Sequence, residues 1–181
     1  KGAVYEGQLK MMDATEENEL LMGFLKVCDS LRRLNVRANA DTPEDARKAL
    51  AFGAEGIGLF RTEHMFYGKG SEVPLFKLRK MIIAGNETER RAALDELFPH
   101  VKSDIKNTLE AMKGFPVTIR LLDPPLHEFV PRNEKQQVEI AESLGISIDE
   151  FRRRADALHE SNPMMGHRGV RLGVTYPEVT E

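Results

Sequence analysis

Arginines lie at the ends of two apolar runs in this sequence, where a buried strand would give way to a loop. "GIGLFRTEHMF" starts as a core strand and meets Arg61, and "FPVTIRLLD" has Arg120 near its end. Arg168 and Arg171 follow in the Gly-rich segment "GHRGVRLG". A guanidinium group binds phosphate and carboxylate oxygens through paired hydrogen bonds and keeps its charge at working pH. Several such groups at one place would make a binding site for a dianionic ligand.

Each of these strands also carries a carboxylate close to its arginine, so plain ion pairs are a second interpretation. Arg61 can pair with Asp41 or Glu63, and Arg120 can pair with Asp123. Such pairs would hold loops in place without binding a ligand. Converging like charges repel one another and must be desolvated, which makes them a poor structural motif. Because the arginines occur at the same end of consecutive strands, we favour the ligand site.

The other polar residues near these strand ends are weaker candidates. Asn39 could add a neutral hydrogen-bond donor to the site. His64 and His127 lie in loops, where a histidine is more often solvated than functional. No His/Cys cluster has the spacing of metal ligands, and no Walker-type loop or GxGxxG follows a strand. The sequence alone therefore predicts no metal site and no nucleotide site.

The elements that must position these residues follow an α/β pattern. "NVRANA" is typical of a strand, a helix follows with Pro43 near its start and Gly53 near its end, and "GIGLF" is the next strand. A strand, a helix and a strand joined by short turns predict a βαβ unit with parallel strands. Ligands of such folds bind at the carboxyl ends of the strands, where the arginines lie.

The rest of the chain is predicted to be mainly helical around a third strand. Three parallel strands make neither a closed barrel nor a complete doubly wound sheet, so either the extra helices cover the sheet or the chain is part of a larger barrel. The predicted elements are a helix at 16–34 capped by Thr15, helices at 73–84 and 87–112 with a break near Phe98 and Pro99, a strand at 115–123, a loop at 123–131, and helices at 134–144 and 148–160 with a capping box of Ser147 and Glu150.

The composition indicates a globular protein and excludes some classes of function. The net charge of −3 over 181 residues gives no support to nucleic-acid binding or to electrostatic membrane attachment. No apolar run is long enough to span a membrane. The single cysteine, Cys28, is predicted to be a small core residue and, being unable to form an internal disulfide, indicates a reducing, cytoplasmic compartment. The chain starts without methionine, so we expect a piece excised from a longer protein.

Four segments resemble a known family. "RANADTPEDA", "GIGLFRTEHMF", "TIRLLDPPLHEF" and "NPMMGHRGVRLG" are similar to the phosphoenolpyruvate/pyruvate-binding domain of the pyruvate, phosphate dikinase family, in order from about residue 35 to the end. The wider group of phosphoenolpyruvate-utilising enzymes includes phosphoenolpyruvate synthase and enzyme I of the sugar phosphotransferase system. "LLDPPLHEF" and "MMGHRG" point to the dikinases.

The resemblance implies a fold and a reaction. It implies the first three to four strands of a (β/α)8 TIM barrel, with additional helices after strands two and three. Residues 1–34 would form a leading segment and linker helix, and 35–181 the N-terminal part of the barrel domain. The full enzyme would interconvert ATP, phosphate and pyruvate with AMP, diphosphate and phosphoenolpyruvate through a phosphohistidine. Arg61, Arg120 and Arg168 would bind the substrate and the transferred phosphoryl group, with Asn39 and Arg171 as weaker candidates.

The resemblance also implies parts that this chain does not contain. The phosphohistidine, the Mg²⁺ ligands, the catalytic cysteine and the ATP-grasp domain of the family have no counterpart here, so we expect no catalytic residue and no dikinase activity from these 181 residues alone. The implied partners are the substrate and the family's other domains, in a homodimeric full enzyme without nucleic acid or membrane. A fragment of phosphoenolpyruvate synthase or of enzyme I, or a non-catalytic anion-binding module, remains the alternative.

Overall fold

The computed structural model describes residues 2–8, 19–68, 70–123 and 125–181. Thr15 and the first residues of the predicted helix at 16–34 lie outside the described residues. The described part of that helix is α1 (Glu19–Leu31), which has no buried residue. Cys28 is exposed on it, so the prediction of a core cysteine is wrong. The apolar stripe of a helix is visible in the sequence, but its burial depends on a neighbouring element. None of the described elements packs on α1 closely enough to bury one of its residues.

The centre of the fold is a three-stranded parallel sheet. Its strands are β1 (Ala38–Asn39), β2 (Ile57–Arg61) and β3 (Val117–Arg120), and β2 pairs with both of the others. Ile57 and Phe60 are buried because the middle strand is covered on its faces. The strands are shorter than the predicted 35–40 and 115–123. The parallel α/β architecture itself is confirmed.

The turn into β2 explains how the first βαβ unit closes. Helix α2 (Pro43–Ala51) starts at Thr42, whose side chain accepts a hydrogen bond from the backbone N–H of Asp45. Gly56 then adopts a φ of +154°, and an added Cβ would lie 2.6 Å from the carbonyl oxygen of Pro116. Only glycine fits this close approach between the starts of β2 and β3.

The chain after β2 forms two long helices that pack on each other. They are α3 (Glu72–Ile83) and α4 (Glu87–Ala111). The predicted break in α4 near Phe98 and Pro99 is wrong, because the helix continues without interruption through both residues. Pro99 removes one backbone hydrogen bond, but it lies on the exposed side, and buried Ala93 and Leu97 anchor the preceding turns.

The C-terminal third is made of three further helices and short 3₁₀ turns. The helices are α5 (Glu134–Leu144), α6 (Ile148–Ala157) and α7 (Val170–Thr175). Half of the predicted capping box is present, since the Ser147 hydroxyl accepts from the Glu150 N–H while the Glu150 carboxylate binds Arg154 instead. The 3₁₀ turns of this third are Leu126–Phe129 and Pro177–Val179, and another 3₁₀ turn, Thr62–Phe66, directly follows β2.

Three apolar clusters hold these elements together. One packs β2 against α2 and α4 around Phe60 and Met112, and another packs α3 against α5 and α6 around Phe151. The largest joins α3 and α4 to the turns after β2 and β3 through Phe66 and Phe129. The turn after β2 and the turn after β3 are therefore each anchored by a buried phenylalanine. None of the helices within the described residues has the length and apolarity that a membrane span requires.

Candidate functional site

Arg61 ends the middle strand and is bound by the carboxylate of Asp41. The Arg61 backbone N–H donates to Asp41 Oδ1 at 2.7 Å, and its side-chain Nη2 donates to Oδ2 at 2.6 Å. Asp41 follows β1 and exposes only 11% of its side chain. Of the two partners left open by the sequence, Arg61 thus takes Asp41. A carboxylate that binds both the backbone and the guanidinium fixes the direction in which Arg61 leaves the strand.

Arg120 ends the neighbouring strand directly opposite Arg61. The two arginines are register partners in the β2–β3 ladder. Nη2 of Arg120 donates to the buried carboxylate of Glu63, and its Nη1 lies 3.3 Å from Asp123 Oδ2. Arg120 therefore binds one carboxylate from the turn after each strand.

Arg168 reaches the same carboxylate from the Gly-rich segment. Its Nη2 lies 3.0 Å from Asp123 Oδ2, and its Nε donates to the Asp123 carbonyl at 3.0 Å. The next residue, Gly169, has a φ of +55°, and an added Cβ would lie 2.7 Å from Asp123 Oδ1. A glycine is required there because any side chain would push the Asp123 carboxylate away from Arg120 and Arg168.

These contacts lie in a row at the carboxyl ends of β2 and β3, which we call the arginine–carboxylate edge. The row consists of two adjacent groups of ion pairs, one around Arg61 and one around Arg120, brought side by side by the strand register. Three carboxylates balance three guanidinium groups, so the row carries no surplus positive charge. The repulsion expected between converging arginines is thereby removed. The ion-pair interpretation of the sequence is confirmed, and the arginines also converge; that they bind a ligand stays a prediction. The members of the edge are Asp41, Arg61, Glu63, Arg120, Asp123 and Arg168.

The charge state of Asp41 suits its role of holding Arg61. Burial by itself raises the pKa of Asp41, but the hydrogen bonds and charge of Arg61, together with the nearby His64, outweigh it and lower that pKa below its ordinary range. The hydrogen bond to Asp41 in turn raises the pKa of Arg61. The pair therefore stays fully charged at neutral pH.

Arg61 keeps hydrogen-bonding capacity for a ligand. Its Nε and Nη2 are taken by Asp41, while Nη1 makes no hydrogen bond to any residue that the structure describes. The side chains of Arg61 and Arg120 are 31% and 35% exposed. The edge is thus open to solvent while its guanidinium groups are held from behind.

His64 joins the edge through Asp41. Its Nδ1 lies 3.0 Å from Asp41 Oδ2, the same oxygen that accepts from Arg61 Nη2. The imidazole stands edge-on to Tyr67 at a centroid distance of 6.1 Å, and Tyr67 stacks on Phe129 at 5.8 Å. His64 is only a weak candidate by sequence, because a single histidine in a loop has no diagnostic spacing.

The weaker candidates of the sequence lie apart from this row of contacts. Asn39 is exposed at the end of β1 and has no hydrogen bond from its side chain to a described residue. Arg171 is on α7 and donates to the Gly166 carbonyl at 3.1 Å. His127 packs its ring against His159 at 5.8 Å, and its Nδ1 is buried without a partner among the described residues. None of the three side chains has a hydrogen bond or ion pair to the arginine–carboxylate edge within the described residues, although the Arg171 backbone N–H donates to the Arg168 carbonyl at 3.1 Å.

The acidic residues of the edge do not suit a divalent cation. Asp41, Glu63 and Asp123 are all bound to guanidinium groups, which leaves few oxygens for a metal. In the described ranges, no group of three or more His, Cys, Asp or Glu residues could hold a metal ion. That Mg²⁺ ligands lie on other parts of a full-length enzyme stays a prediction.

Comparison with known proteins decides the family. The family model of the PEP-utilising enzyme, PEP-binding domain, matches residues 15–181. The chain belongs to this family. It is 47% identical to pyruvate, phosphate dikinase of Clostridium symbiosum and 49% identical to that of Rhizobium meliloti, over 99% of this chain in each case. It is 52% identical to the chloroplastic pyruvate, phosphate dikinase 1 of Arabidopsis thaliana over 87% of this chain.

The same comparisons set the extent of the match. The chain spans 20% of the length of the two bacterial dikinases and 16% of the Arabidopsis protein. It therefore corresponds to about one-fifth of these relatives, within the part that the PEP-binding family model describes. The recognition of the family from four sequence segments is confirmed.

Proposed function

We propose that this chain is the part of a pyruvate, phosphate dikinase that binds phosphoenolpyruvate or pyruvate with its arginine–carboxylate edge. The full-length enzyme would interconvert ATP, phosphate and pyruvate with AMP, diphosphate and phosphoenolpyruvate through a phosphohistidine on another domain. The observation that carries the proposal is the register of Arg61 and Arg120, which are held side by side at the carboxyl ends of adjacent parallel strands. Identity of 47–52% to dikinases favours this activity over those of phosphoenolpyruvate synthase and enzyme I.

The geometry of the edge suits the chemistry of phosphoryl transfer. The transferred group carries negative charge on three oxygens, so catalysis depends on positioning and charge stabilisation more than on covalent help. Arg61, Arg120 and Arg168 would bind the phosphoryl and carboxylate oxygens of the substrate. Asp41, Glu63 and Asp123 hold the guanidinium groups before the ligand arrives, which lowers the cost of reorganisation in the reaction. Asn39 would add a neutral hydrogen-bond donor, and Arg171 is a weaker candidate for binding the same substrate.

We propose that further strands of the full-length chain complete a (β/α)8 barrel next to β3. Within the described residues β3 is an end strand of the sheet. Beside it lies an apolar groove of about 490 Å³, lined in part by Ile119 and Leu121 of the β3 segment and by Leu97 and Val101 of α4. An open strand edge beside an apolar groove favours pairing with another strand. A full-length structure in which β3 remains the edge of the sheet would refute this.

The remaining partners follow from the proposed reaction. The phosphohistidine domain, the ATP-grasp domain and the Mg²⁺ ligands would be supplied by the rest of the full-length chain, in a homodimer without nucleic acid or membrane. We expect the 181 residues alone to have no dikinase activity. A cytoplasmic location is our expectation for this chain, and relatives named as chloroplastic occur in the family.

The test is phosphoenolpyruvate binding and turnover by arginine variants of the full-length enzyme. We expect Arg61→Met and Arg120→Met each to lose about 100-fold or more in kcat/KM, since each removes charge-assisted hydrogen bonds to the ligand. Arg153→Met is the matched control, because Arg153 is 78% exposed on α6 and pairs only locally with Glu150. Wild-type binding and turnover in both Arg61→Met and Arg120→Met would refute the proposed site.

The variants also need a check of folding, because each leaves a carboxylate without its arginine. Because Asp41 is mostly buried, Arg61→Met leaves the charge of its carboxylate without a partner. Arg61→Met combined with Asp41→Leu leaves no such unpaired charge. We expect the double variant to regain stability and to remain inactive. Recovery of activity together with stability would mean that Arg61 acts only through the fold.

A further inference from the structure

The arginine–carboxylate edge is electrically balanced, so its own residues supply no net positive charge to a dianionic ligand. We propose that His64 is a further phosphate-contacting residue: its Nε2 takes up a proton from solvent when a phosphoryl dianion binds beside Arg61, and then donates a hydrogen bond to a phosphoryl oxygen. Asp41 is the positioning residue for both side chains. This inference rests on the proposed function and deepens it.

The contacts of Asp41 place His64 next to Arg61. Asp41 Oδ2 accepts from Arg61 Nη2 at 2.6 Å and lies 3.0 Å from His64 Nδ1, so the guanidinium group and the imidazole flank a single oxygen atom. To make its contact, Nδ1 must carry the hydrogen, and in the neutral ring Nε2 then holds a lone pair. The side chain is 42% exposed and no described residue hydrogen-bonds to Nε2. Nε2 is therefore the free end of an oriented imidazole.

Packing holds the imidazole in this orientation. Tyr67 contacts its edge, and Tyr67 is itself stacked on Phe129, which is 2% exposed. The imidazole ring is thus flanked on one side by the Asp41 carboxylate and on another by the stacked pair of Tyr67 and Phe129. A fixed donor loses less entropy on binding than a mobile one does.

The other described groups that face the ring each keep one charge state near neutral pH. The pKa of Asp41 is low, for the reasons given above, so that carboxylate is ionised. Burial, followed by the charges of Glu128 and Glu63, raises the pKa of Tyr67, so the phenol stays neutral. Arg61 stays cationic. An adjacent dianion favours the charged form of an imidazole.

The proposed step consumes one proton and breaks no covalent bond. The proton moves from solvent to Nε2 as the dianion binds, and the imidazolium then donates Nδ1–H to Asp41 and Nε2–H to the ligand. Ligand binding at pH 7.5 should therefore take up a fraction of a proton, and affinity should fall as pH rises. A role for His64 in packing alone would produce neither effect.

The test is calorimetry of phosphoenolpyruvate binding to the full-length enzyme in two buffers of different ionisation enthalpy, from pH 6.5 to pH 9. We expect wild-type protein to take up protons and His64→Asn to take up none, because asparagine can keep the contact to Asp41 but has no counterpart of Nε2. At pH 6.5 His64→Asn should bind about ten-fold more weakly, which corresponds to one charge-assisted hydrogen bond. At pH 9 the two proteins should bind alike.

Two further variants make the outcome decisive. His64→Gln supplies a neutral amide donor, and we expect it to regain part of the affinity without proton uptake. His159→Gln is the control, because His159 is an exposed histidine beyond the end of α6 and should behave as wild type. Unchanged proton uptake in His64→Asn would overturn the inference. If Arg61→Met also binds the ligand as wild type does, the proposed function fails; if Arg61→Met alone loses binding, only the role of His64 fails.

Discussion

The buried ion pair between Arg90 and Glu178 should carry much of the attachment of the C-terminal turn to α4. Arg90 Nε lies 2.5 Å from Glu178 Oε1, and the two side chains are 9% and 4% exposed. Glu178→Gln removes the negative charge at nearly constant shape. Breaking a buried pair costs about 3–5 kcal/mol because the remaining charge stays desolvated. In Glu178→Gln the Arg90 guanidinium keeps two other contacts, a hydrogen bond to the Ala84 carbonyl at 3.3 Å and a cation–π contact with the Tyr176 ring at 3.8 Å. A cation–π contact contributes about 2 kcal/mol when it is desolvated.

We therefore expect Glu178→Gln to lower the free energy of unfolding of the 181-residue chain by about 2–3 kcal/mol at pH 7. Urea unfolding at constant m value would measure it. The matched control is Glu181→Gln, which breaks the Arg91–Glu181 pair; those side chains are 48% and 61% exposed, and the expected loss is below about 0.5 kcal/mol. The Arg90→Met and Glu178→Leu double variant should regain most of the loss.

The pH dependence gives a second measure of the same pair. The hydrogen bond from Arg90 lowers the pKa of Glu178, even though burial opposes this. A lowered folded-state pKa stabilises the fold above the unfolded pKa of about 4.3, and this contribution is lost as pH falls through the folded-state value. The difference between wild type and Glu178→Gln should then shrink toward pH 3. Equal losses in Glu178→Gln and Glu181→Gln at pH 7 would refute the reasoning.

Three other predictions concern single positions. Gly56→Ala should destabilise the chain by about 2 kcal/mol or more in urea unfolding, because its Cβ would collide with the Pro116 carbonyl, a backbone atom that cannot move aside. Gly169→Ala should weaken phosphoenolpyruvate binding by the full-length enzyme, since its Cβ would displace the Asp123 carboxylate from Arg120; unchanged affinity would contradict the role of Asp123. Burial raises the pKa of Asp104, so its carboxylate destabilises the fold as pH rises above about 4, and Asp104→Asn should stabilise the chain by up to about 0.5 kcal/mol at pH 7 and not at pH 3.

Local signals in the sequence were sufficient for the order and type of most elements. The residues at 134–144 form the predicted helix over its full length, because Asn133 caps its start and Gly145 ends it in the left-handed conformation. The parallel βαβ unit followed in the same way from apolar runs, a cap and short turns. These features act within a few residues, so the order of amino acids specifies them directly.

Signals that depend on distant partners were predicted less well. Pro99 is a strong helix breaker in isolation, yet tertiary packing of the turns around it keeps α4 continuous. Arg154 belongs to a run of three arginines that resembles a solvated face, but it is only 21% exposed and binds Glu89, Glu150 and the Ile83 carbonyl. The contacts of Arg154 with Ile83 and Glu89 come from residues 71 and 65 positions away along the chain.

For the candidate site, too, one part can be predicted from local sequence and another part depends on distant residues. The sequence by itself determined that arginines stand at strand ends, since Arg61 and Arg120 each close an apolar run. Only the tertiary structure decided that Arg61 is bound by Asp41 instead of Glu63, that Asp123 is shared by Arg120 and Arg168, and that His64 meets Arg61 at one oxygen atom. The physical reason is that a salt bridge depends on distances of a few ångströms between side chains, and strand register and turn geometry set those distances across separations of up to 57 residues.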